Sequence, residues 1–414
     1  MKNRVAVTGL GVVSPLGIGI KETWGKITNN ESAISDGSFE GCQLFPHSRC
    51  GSVPEFDPTD FIANRRILKL MNREAVLASA AARLAIDDAR VEGFYKPESL
   101  GLFLGNGLTS GDLDYLLPLI ENSIDEHGNF SYHLLGSKAL PGCSPLLSFK
   151  ILPNMALSFI SILFNIKGRN MAFNPWPGNT AQAIGMAMRS IENGSVDCAL
   201  AGGCDSKNHF TGFAAFSNYN LLSNKGICSP FSRESDGLIL SEGASVVILE
   251  NYERAKERGA EIYAVLSGYN TLTDSHGKEY FSSSSHTMVE VMNNTITDAA
   301  LKPKDINAVI AGASSIRTSD MAEASAISNV FGNHLPLITG TKTLTGHMLA
   351  ASPAFDVCIA SYSFLNGGMP ALLNNTDPDI SLNFSSSTGD AETILVNSFH
   401  PGIAKAGFIL RKDS

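Results

Sequence analysis

The chain has 414 residues, of which 43% are hydrophobic and 17% are charged, and its 31 basic and 40 acidic residues give a formal net charge of -9. These values exclude a disordered or fibrous chain and argue against nucleic acid or an anionic membrane as a partner. Seven cysteines are too few for a disulfide scaffold of this size and stand at no metal-ligand spacing, so we expect no metal site. No cofactor is predicted either. A reducing cytoplasm is the predicted compartment.

Short apolar runs alternate with amphipathic stretches along the chain. The predicted strands are residues 4–8, 100–104, 197–201, 244–249 and 262–266. The predicted helices are residues 73–89, 180–193, 284–301, 319–331 and 346–365. This alternation predicts an α/β fold. Residues 107–149 have an irregular pattern, which indicates an insertion that shapes a pocket or an interface.

Two features bear on membranes and on domain division. The longest apolar stretch, residues 151–166, contains Pro153 and several polar residues, which favours a buried helix over a membrane span. The amino terminus enters a strand at once and lacks the apolar core of a signal peptide. The polar run at residues 251–258 indicates a boundary between two halves, 1–250 and 251–414.

Five motifs follow one another along nearly the whole chain. They are VAVTGLGVVSPLG at 5–17, ALAGG at 199–203, SPFSRESDG with SEGA at 229–244, TKTLTGH at 341–347 and VNSF at 396–399. Together they resemble the β-ketoacyl synthase family of condensing enzymes. The resemblance implies the thiolase fold, a five-layered αβαβα sandwich of two similar halves that forms a dimer. A dinucleotide-binding fold is disfavoured, because no third glycine follows Gly9 and Gly11 at the required offset.

The resemblance also assigns places to the family's catalytic residues. The nucleophilic cysteine, which lies at a strand-to-helix elbow where the helix dipole favours the thiolate, falls on Pro177. The histidine that steadies the enolate formed by decarboxylation falls on Gly312. The phenylalanine whose backbone N–H completes the oxyanion hole falls on Pro401, and proline has no N–H. The nucleophile, one histidine and both oxyanion donors are therefore predicted to be missing.

Other polar residues match the family pattern. Glu323, Lys342 and His347 keep the places of the family's glutamate, lysine and second histidine. We expect Glu323 and Lys342 to form a buried ion pair, and His347 to be an interior histidine rather than a base. His400 replaces a glycine of the family's gate loop, the loop that here contains Pro401, and is interpreted as a structural plug. Cys204 is interpreted as a small buried residue rather than a replacement nucleophile.

A ketosynthase-like chain without its cysteine resembles the chain length factor of type II polyketide synthases. In that family the subunit forms a heterodimer with an active ketosynthase and closes the far end of its acyl tunnel. Bulky side chains there set a steric limit on the growing polyketide chain. The resemblance makes Tyr115, Leu116 and Leu119 candidates for the tunnel wall. Pro177 departs from the glutamine that many chain length factors carry, which puts any help with decarboxylation in doubt.

A basic cluster resembles the surface on which condensing enzymes receive an acidic acyl carrier protein. Its members are Arg65, Arg66, Lys69 and Arg73. A solvated helix face is an equally good interpretation of the same residues.

Two further functions stay open at the level of sequence. One is a stand-alone acyltransferase (condensing enzyme) or hydrolase with an unorthodox nucleophile, for which Cys204 or His347 would have to be essential. The other is a stabilising partner ketosynthase in aryl polyene-type assembly, which would not set product length.

Overall fold

The structure is a computed structural model that describes residues 2–107, 113–174, 178–274, 284–375, 377, 380–386, 390–399, 402 and 404–413, and of Asp114 and Tyr115 only the backbone. The strands are β1 (Val5–Ser14), β2 (Gly17–Ile18), β3 (Ile34–Ser35), β4 (Cys50–Gly51), β5 (Leu100–Asn106), β6 (Asn170–Phe173), β7 (Cys198–Asp205), β8 (Gly243–Asn251), β9 (Ala264–Thr273), β10 (Ala308–Ile310), β11 (Leu337–Thr339), β12 (Asn383–Phe384), β13 (Thr393–Ser398) and β14 (Ala404–Arg411).

The helices cover and separate these strands. They are α1 (Ile20–Thr28), α2 (Arg65–Leu68), α3 (Arg73–Ala89), α4 (Leu113–Glu121), α5 (Tyr132–Leu134), α6 (Leu140–Gly142), α7 (Leu147–Ile151), α8 (Met155–Leu163), α9 (Gly178–Glu192), α10 (Phe210–Asn218), α11 (Tyr252–Glu257), α12 (Ser285–Asp298), α13 (Arg317–Phe331), α14 (Lys342–Thr345) and α15 (Ser352–Asn366). No helix in the described part of the chain has both the length and the apolar character needed to cross a bilayer.

Two half-sheets repeat one pattern of strand pairing. The first half-sheet has the order β6-β5-β7-β8-β1, and the second has β11-β10-β13-β14-β9 with β12 added outside β11. In each half the first three strands are parallel and the next two pairings are antiparallel. The halves meet where residues 5–7 of β1 pair with residues 264–266 of β9. The chain is therefore built from two similar α/β halves.

Side-chain alternation along the strands builds five layers. In β5, Phe103 faces a core shared with α9, α15 and strands of both half-sheets, whereas Leu102 and Leu104 face a core shared with α3 and α8. Strands of the second half-sheet face α12 and α13 on their other side. Because strand side chains alternate between faces, each half-sheet is covered on both sides. The predicted five-layered thiolase-type sandwich is confirmed.

The close approach of α3 to β1 requires glycine. A Cβ atom at Gly11 would lie 1.9 Å from the backbone oxygen of Ala81, and one at Gly9 would lie 2.4 Å from that of Ala85. Any side chain at these two positions would push the outer helix away from the sheet.

Several predicted boundaries are wrong, since β1 continues to Ser14 and β9 to Thr273, beyond the predicted ends at residues 8 and 266. The helix expected from residue 346 begins at Ser352, because Gly346 (φ 72°) and Leu349 (φ 46°) adopt left-handed backbone conformations that interrupt a helix. Pro353 then lies in the first turn of α15, where its missing N–H costs nothing. The irregular pattern that indicated an insertion corresponds to the short helices between β5 and α8.

Candidate active site

Glu323 holds the loop that contains Gly312. One carboxylate oxygen accepts hydrogen bonds from the backbone N–H of Gly312 (2.9 Å) and from the side-chain amide of Asn397 (3.0 Å), and the other accepts from the N–H of Ala313 (3.1 Å). Glu323 is 2% exposed, and burial raises the pKa of its carboxyl while these hydrogen bonds oppose the rise. Its described contacts are those of a structural carboxylate.

Asp320 supports the same loop. Its carboxylate accepts hydrogen bonds from the backbone N–H groups of Ser314 (2.9 Å), Ser315 (3.0 Å) and Phe231 (3.2 Å). Burial and the charge of Glu323 raise the pKa of Asp320 to about 7. Ala313 and Ser315 have φ values of 41° and 65°, which are strained for residues with a Cβ atom. Two carboxylates of α13 thus fix a strained loop.

Position 312 is crowded by its neighbours. A Cβ atom there would lie 3.1 Å from a carboxylate oxygen of Glu323, 3.1 Å from the backbone oxygen of Phe399 and 3.2 Å from its Cβ. Gly312 does not have a left-handed backbone conformation, so space rather than backbone torsion restricts it. A side chain as large as histidine requires Glu323 or Phe399 to move.

Lys342 pairs with Asp356 and not with Glu323, so the predicted ion pair is wrong. The ammonium of Lys342 lies 3.3 Å from a carboxylate oxygen of Asp356, and both side chains are 1% exposed. Thr341 donates its hydroxyl hydrogen to the other oxygen at 2.6 Å. Burial raises the pKa of Asp356, and Lys342 opposes that rise. The first turns of α15 bring this carboxylate to α14, a proximity that spacing in sequence does not reveal.

His347 is an interior histidine, as predicted. Its Nδ1 accepts a hydrogen bond from the backbone N–H of Leu349 (3.0 Å), and the residue is 1% exposed. Burial, followed by the charge of Lys342, holds the pKa of the imidazole well below its usual value. The ring is therefore neutral at physiological pH.

The segments around the degenerate positions converge. Gly312 contacts Phe399, and a Cβ atom at Gly178, the first residue of α9, would lie 2.7 Å from the Cβ of Ala404. The start of α9, the loop after β10 and the two sides of the former gate loop therefore meet between the half-sheets. Pro177, His400 and Pro401 themselves lie outside the described residues.

The chain matches two family models. Residues 2–255 match "Beta-ketoacyl synthase, N-terminal domain", and residues 263–376 match "Beta-ketoacyl synthase, C-terminal domain". The chain belongs to the β-ketoacyl synthase family. Among curated relatives, the mitochondrial 3-oxoacyl-[acyl-carrier-protein] synthase of Arabidopsis thaliana is 31% identical over 406 residues, covering 91% of this chain and 85% of the relative. The 3-oxoacyl-[acyl-carrier-protein] synthase 2 of Coxiella burnetii is 26% identical, covering 99% of each chain.

Solved structures share the fold over the whole chain. The ishigamide ketosynthase/chain length factor has a TM-score of 0.89 at 24% identity, covering 100% of both chains. A β-ketoacyl synthase from Burkholderia phymatum STM815 has a TM-score of 0.86 at 25% identity, again with full coverage of both chains.

The tunnel candidates of this β-ketoacyl synthase family member lie on α4. Leu116 and Leu119 are half-buried on that helix, and the side chain of Tyr115 lies outside the described part. Their contact with an acyl chain stays a prediction.

The docking candidates separate into two groups. Arg65, Arg66 and Lys69 are exposed on and just after α2. The guanidinium of Arg73, in contrast, donates two hydrogen bonds to Glu242, at 3.1 and 2.8 Å. Arg73 therefore has a described intramolecular partner, and docking by the other three stays a prediction.

Lys405 is a residue that sequence reasoning missed. It is fully buried near the start of β14, and its ammonium donates a hydrogen bond to the backbone oxygen of Gly402 (2.8 Å). Burial lowers the pKa of Lys405 to about 8, although the charges of Asp274 and Glu323 oppose this. The strand around it is buried on both faces, so alternation along β14 gives no signal of this lysine's depth.

We expect Lys405→Met to stabilise the protein at pH 7. The folded state holds the pKa near 8, below the ordinary 10.5, so the unfolded state binds more protons between these values. Wild-type stability therefore gains from this group as pH rises from 8 to 10.5, and at pH 7 the buried charge costs about 1–3 kcal/mol. Urea unfolding at pH 7 and pH 10 checks this: the variant's advantage should shrink at the higher pH. An advantage that is the same at both values contradicts it.

Proposed function

We propose that this chain is a non-catalytic ketosynthase-like subunit, a chain length factor, that pairs with an active ketosynthase in type II polyketide biosynthesis and limits chain length by shaping the acyl tunnel. The observation that carries the proposal is the crowding at Gly312, the place assigned to the family's enolate-stabilising histidine. A Cβ atom at this position would lie closer to Glu323 and Phe399 than ordinary van der Waals packing allows. With proline at the place of the cysteine, the chain lacks both groups that start condensation.

The two candidate substitutes, Cys204 and His347, are poorly placed to replace the missing groups. The thiol of Cys204 is fully buried and donates to the side-chain oxygen of Asn106 (3.1 Å), and burial raises its pKa well above the usual value. A thiol that stays protonated is a poor nucleophile. His347 is neutral but lies 1% exposed inside the fold. These environments disfavour an enzyme that acts alone through either residue.

An apolar face supports the proposed heterodimer. Of the fourteen large hydrophobic side chains exposed in the described part of the chain, nine lie between α4 and α8, and these are Leu117, Ile120, Ile124, Phe130, Tyr132, Leu140, Leu146, Leu152 and Ile162. Exposed apolar side chains concentrated in this way are typical of a surface that another protein covers. We call these nine residues the apolar face.

The edge strand of the first half-sheet supports association with a partner through the same side of the molecule as the apolar face. β6 follows this segment directly and is the last strand of its half-sheet among the described elements. Its outer N–H and C=O groups can pair with an edge strand of a partner of the same fold. The proposed partner is an active ketosynthase, which supplies the cysteine and receives the growing chain from an acyl carrier protein.

One solved structure with the same fold fits the proposed assignment. One structure with the same fold, TM-score 0.82 at 24% identity, is a type II polyketide synthase acyl-carrier protein in complex with its ketosynthase bound to the hexaketide. By analogy, we propose that the exposed Arg65, Arg66 and Lys69 add a weak electrostatic contact for the acidic carrier protein.

Co-expression with the cysteine-bearing ketosynthase encoded nearest to this chain tests the proposal. Native mass spectrometry should give a one-to-one complex, because association buries the apolar face against the partner. Incubation of this chain alone with malonyl-carrier protein should produce no covalent acyl adduct and little carbon dioxide. A stable homodimer that ignores the ketosynthase and becomes acylated would overturn the proposal.

We expect Pro177→Cys alone to leave condensation undetectable. The variant restores a thiol, but Gly312 still provides no imidazole and Pro401 no N–H donor, and one lost oxyanion donor alone costs roughly a hundred- to a thousandfold in rate. Adding Gly312→His should destabilise the fold by about 1–3 kcal/mol, because the new side chain overpacks against Glu323 and Phe399. Condensation assays with radiolabelled malonyl-carrier protein, and urea unfolding of each variant, provide the measurements. Appreciable condensation by Pro177→Cys contradicts the assigned positions.

A further inference from the structure

A cavity lies far from the candidate active site. Its volume is about 520 Å³, within the usual range for small-molecule pockets, and it opens between the end of α3, the loop at residues 91–97 and the end of α8. Leu100, the first residue of β5, lines it, whereas the candidate active site lies near the other end of the half-sheet. A seven-residue strand spans roughly 20 Å, so the two sites are separate.

The walls of this cavity are mainly apolar. They include Ile86, Tyr95, Leu100, Leu163, Phe164 and Leu200. Ile86, Tyr95 and Leu200 are buried at 5%, 8% and 1% exposure, so they form a floor rather than a free surface. Phe94, at the mouth, is 55% exposed. A concave site with apolar walls and an open aromatic edge suits a ligand with an aliphatic or aromatic body.

Ionic and aromatic contacts hold the walls in place. The hydroxyl of Tyr95 donates to Glu250 (2.5 Å), and Arg258, which also pairs with Glu250, stacks over Phe94 with 5.6 Å between guanidinium and ring centre. On the opposite wall the guanidinium of Arg83 lies 5.3 Å from the ring centre of Phe164. Walls fixed before binding reduce the entropy lost when a ligand enters.

Charged side chains of both signs lie at the mouth of the cavity. The carboxylates of Glu92 (2.9 Å) and Asp87 share the guanidinium of Arg83, and Arg258 is paired with Glu250. Lys96 also lines the cavity and is in no ion pair among the residues that the structure describes. The group left to bind a ligand's polar end is therefore an ammonium, which attracts a carboxylate.

We propose that this cavity binds an amphipathic carboxylate, with its aliphatic or aromatic body between α3 and α8 and its carboxylate at Lys96. The site is independent of the proposed function, because it shares no residue with the acyl tunnel or with the degenerate catalytic positions.

Isothermal titration calorimetry of the full chain with sodium octanoate tests the proposal. Octanoate should bind at one site, and octanol should bind about five- to tenfold more weakly, because it lacks the charge that Lys96 attracts. Leu163→Trp should fill the cavity and abolish binding. Lys96→Glu, a surface change that spares the fold, should weaken octanoate about tenfold and octanol little.

Lys304→Glu is the matched control, since Lys304 is also exposed but lies outside the cavity. It should bind octanoate as the wild type does. Equal binding of octanoate and octanol, unchanged binding by Lys96→Glu, or no binding to the wild type would each overturn the proposal. Circular dichroism confirms that each variant is folded before titration.

Discussion

Replacing Asp356 by leucine is expected to destabilise the protein by roughly 3–5 kcal/mol. The change leaves the ammonium of Lys342 buried at 1% exposure without its carboxylate partner, and an isolated buried charge carries a large desolvation cost. The hydroxyl of Thr341 loses its acceptor as well. Urea unfolding of the single variant should show the full loss at pH 7.

The double variant Lys342→Met/Asp356→Leu distinguishes the cost of an unpaired buried charge from the net contribution of the ion pair to stability. Removing both charges should recover most of the lost stability, since a well-packed apolar pair often equals a buried ion pair. Glu234→Ala, which breaks the exposed pair between Lys225 and Glu234, is the surface control and should leave the unfolding midpoint nearly unchanged. A single variant as stable as the wild type would show that Asp356 is not the counterion of Lys342.

The pairing of Lys342 shows where sequence reasoning failed. The resemblance put Glu323 opposite this lysine, but Glu323 is held by the backbone N–H groups of Gly312 and Ala313. A signal was present, because Asp356 is the only charged residue in the mostly buried helix α15. A lone carboxylate on a buried helix needs a cation, and Lys342 lies fourteen residues earlier.

The layered fold could be predicted from the sequence because the patterns that indicate its strands and helices are local. Apolar strands of five to ten residues and long amphipathic helices alternate, and the helices at Arg73–Ala89 and Arg317–Phe331 were predicted almost to the residue. Register, strand order and the meeting of the two half-sheets come from long-range packing. The short contact between β1 and β9 leaves no local trace in either strand.

The candidate site was predictable in its residues and not in its geometry. The family resemblance assigned Gly312, Glu323, Lys342 and His347 to one site. It did not predict that Phe399 crowds position 312, because that contact joins residues far apart in sequence. Lys405 was missed because a lysine on a strand is ordinarily solvated, and its burial follows from the layers on both sides of β14.

Charged substitutions in the apolar face are expected to break the proposed heterodimer without unfolding this chain. Tyr132, Leu140 and Ile162 are 83%, 56% and 64% exposed, so aspartate at these places stays hydrated in the free subunit. In a complex the same carboxylates are buried without partners, and the triple variant should weaken association by about a hundredfold or more.

A second triple variant controls for the loss of exposed apolar area. Leu44, Tyr219 and Ile227 are exposed at 70%, 59% and 46% but lie outside the apolar face. Aspartate at these three places should leave the one-to-one complex intact in native mass spectrometry and the dissociation constant within about threefold, because surface changes away from an interface are nearly neutral. If the control breaks the complex and the apolar-face variant does not, the partner covers the other patch. If both variants bind normally, association does not depend on either patch, and the pairing rests on the edge of β6, whose backbone groups no side-chain substitution removes.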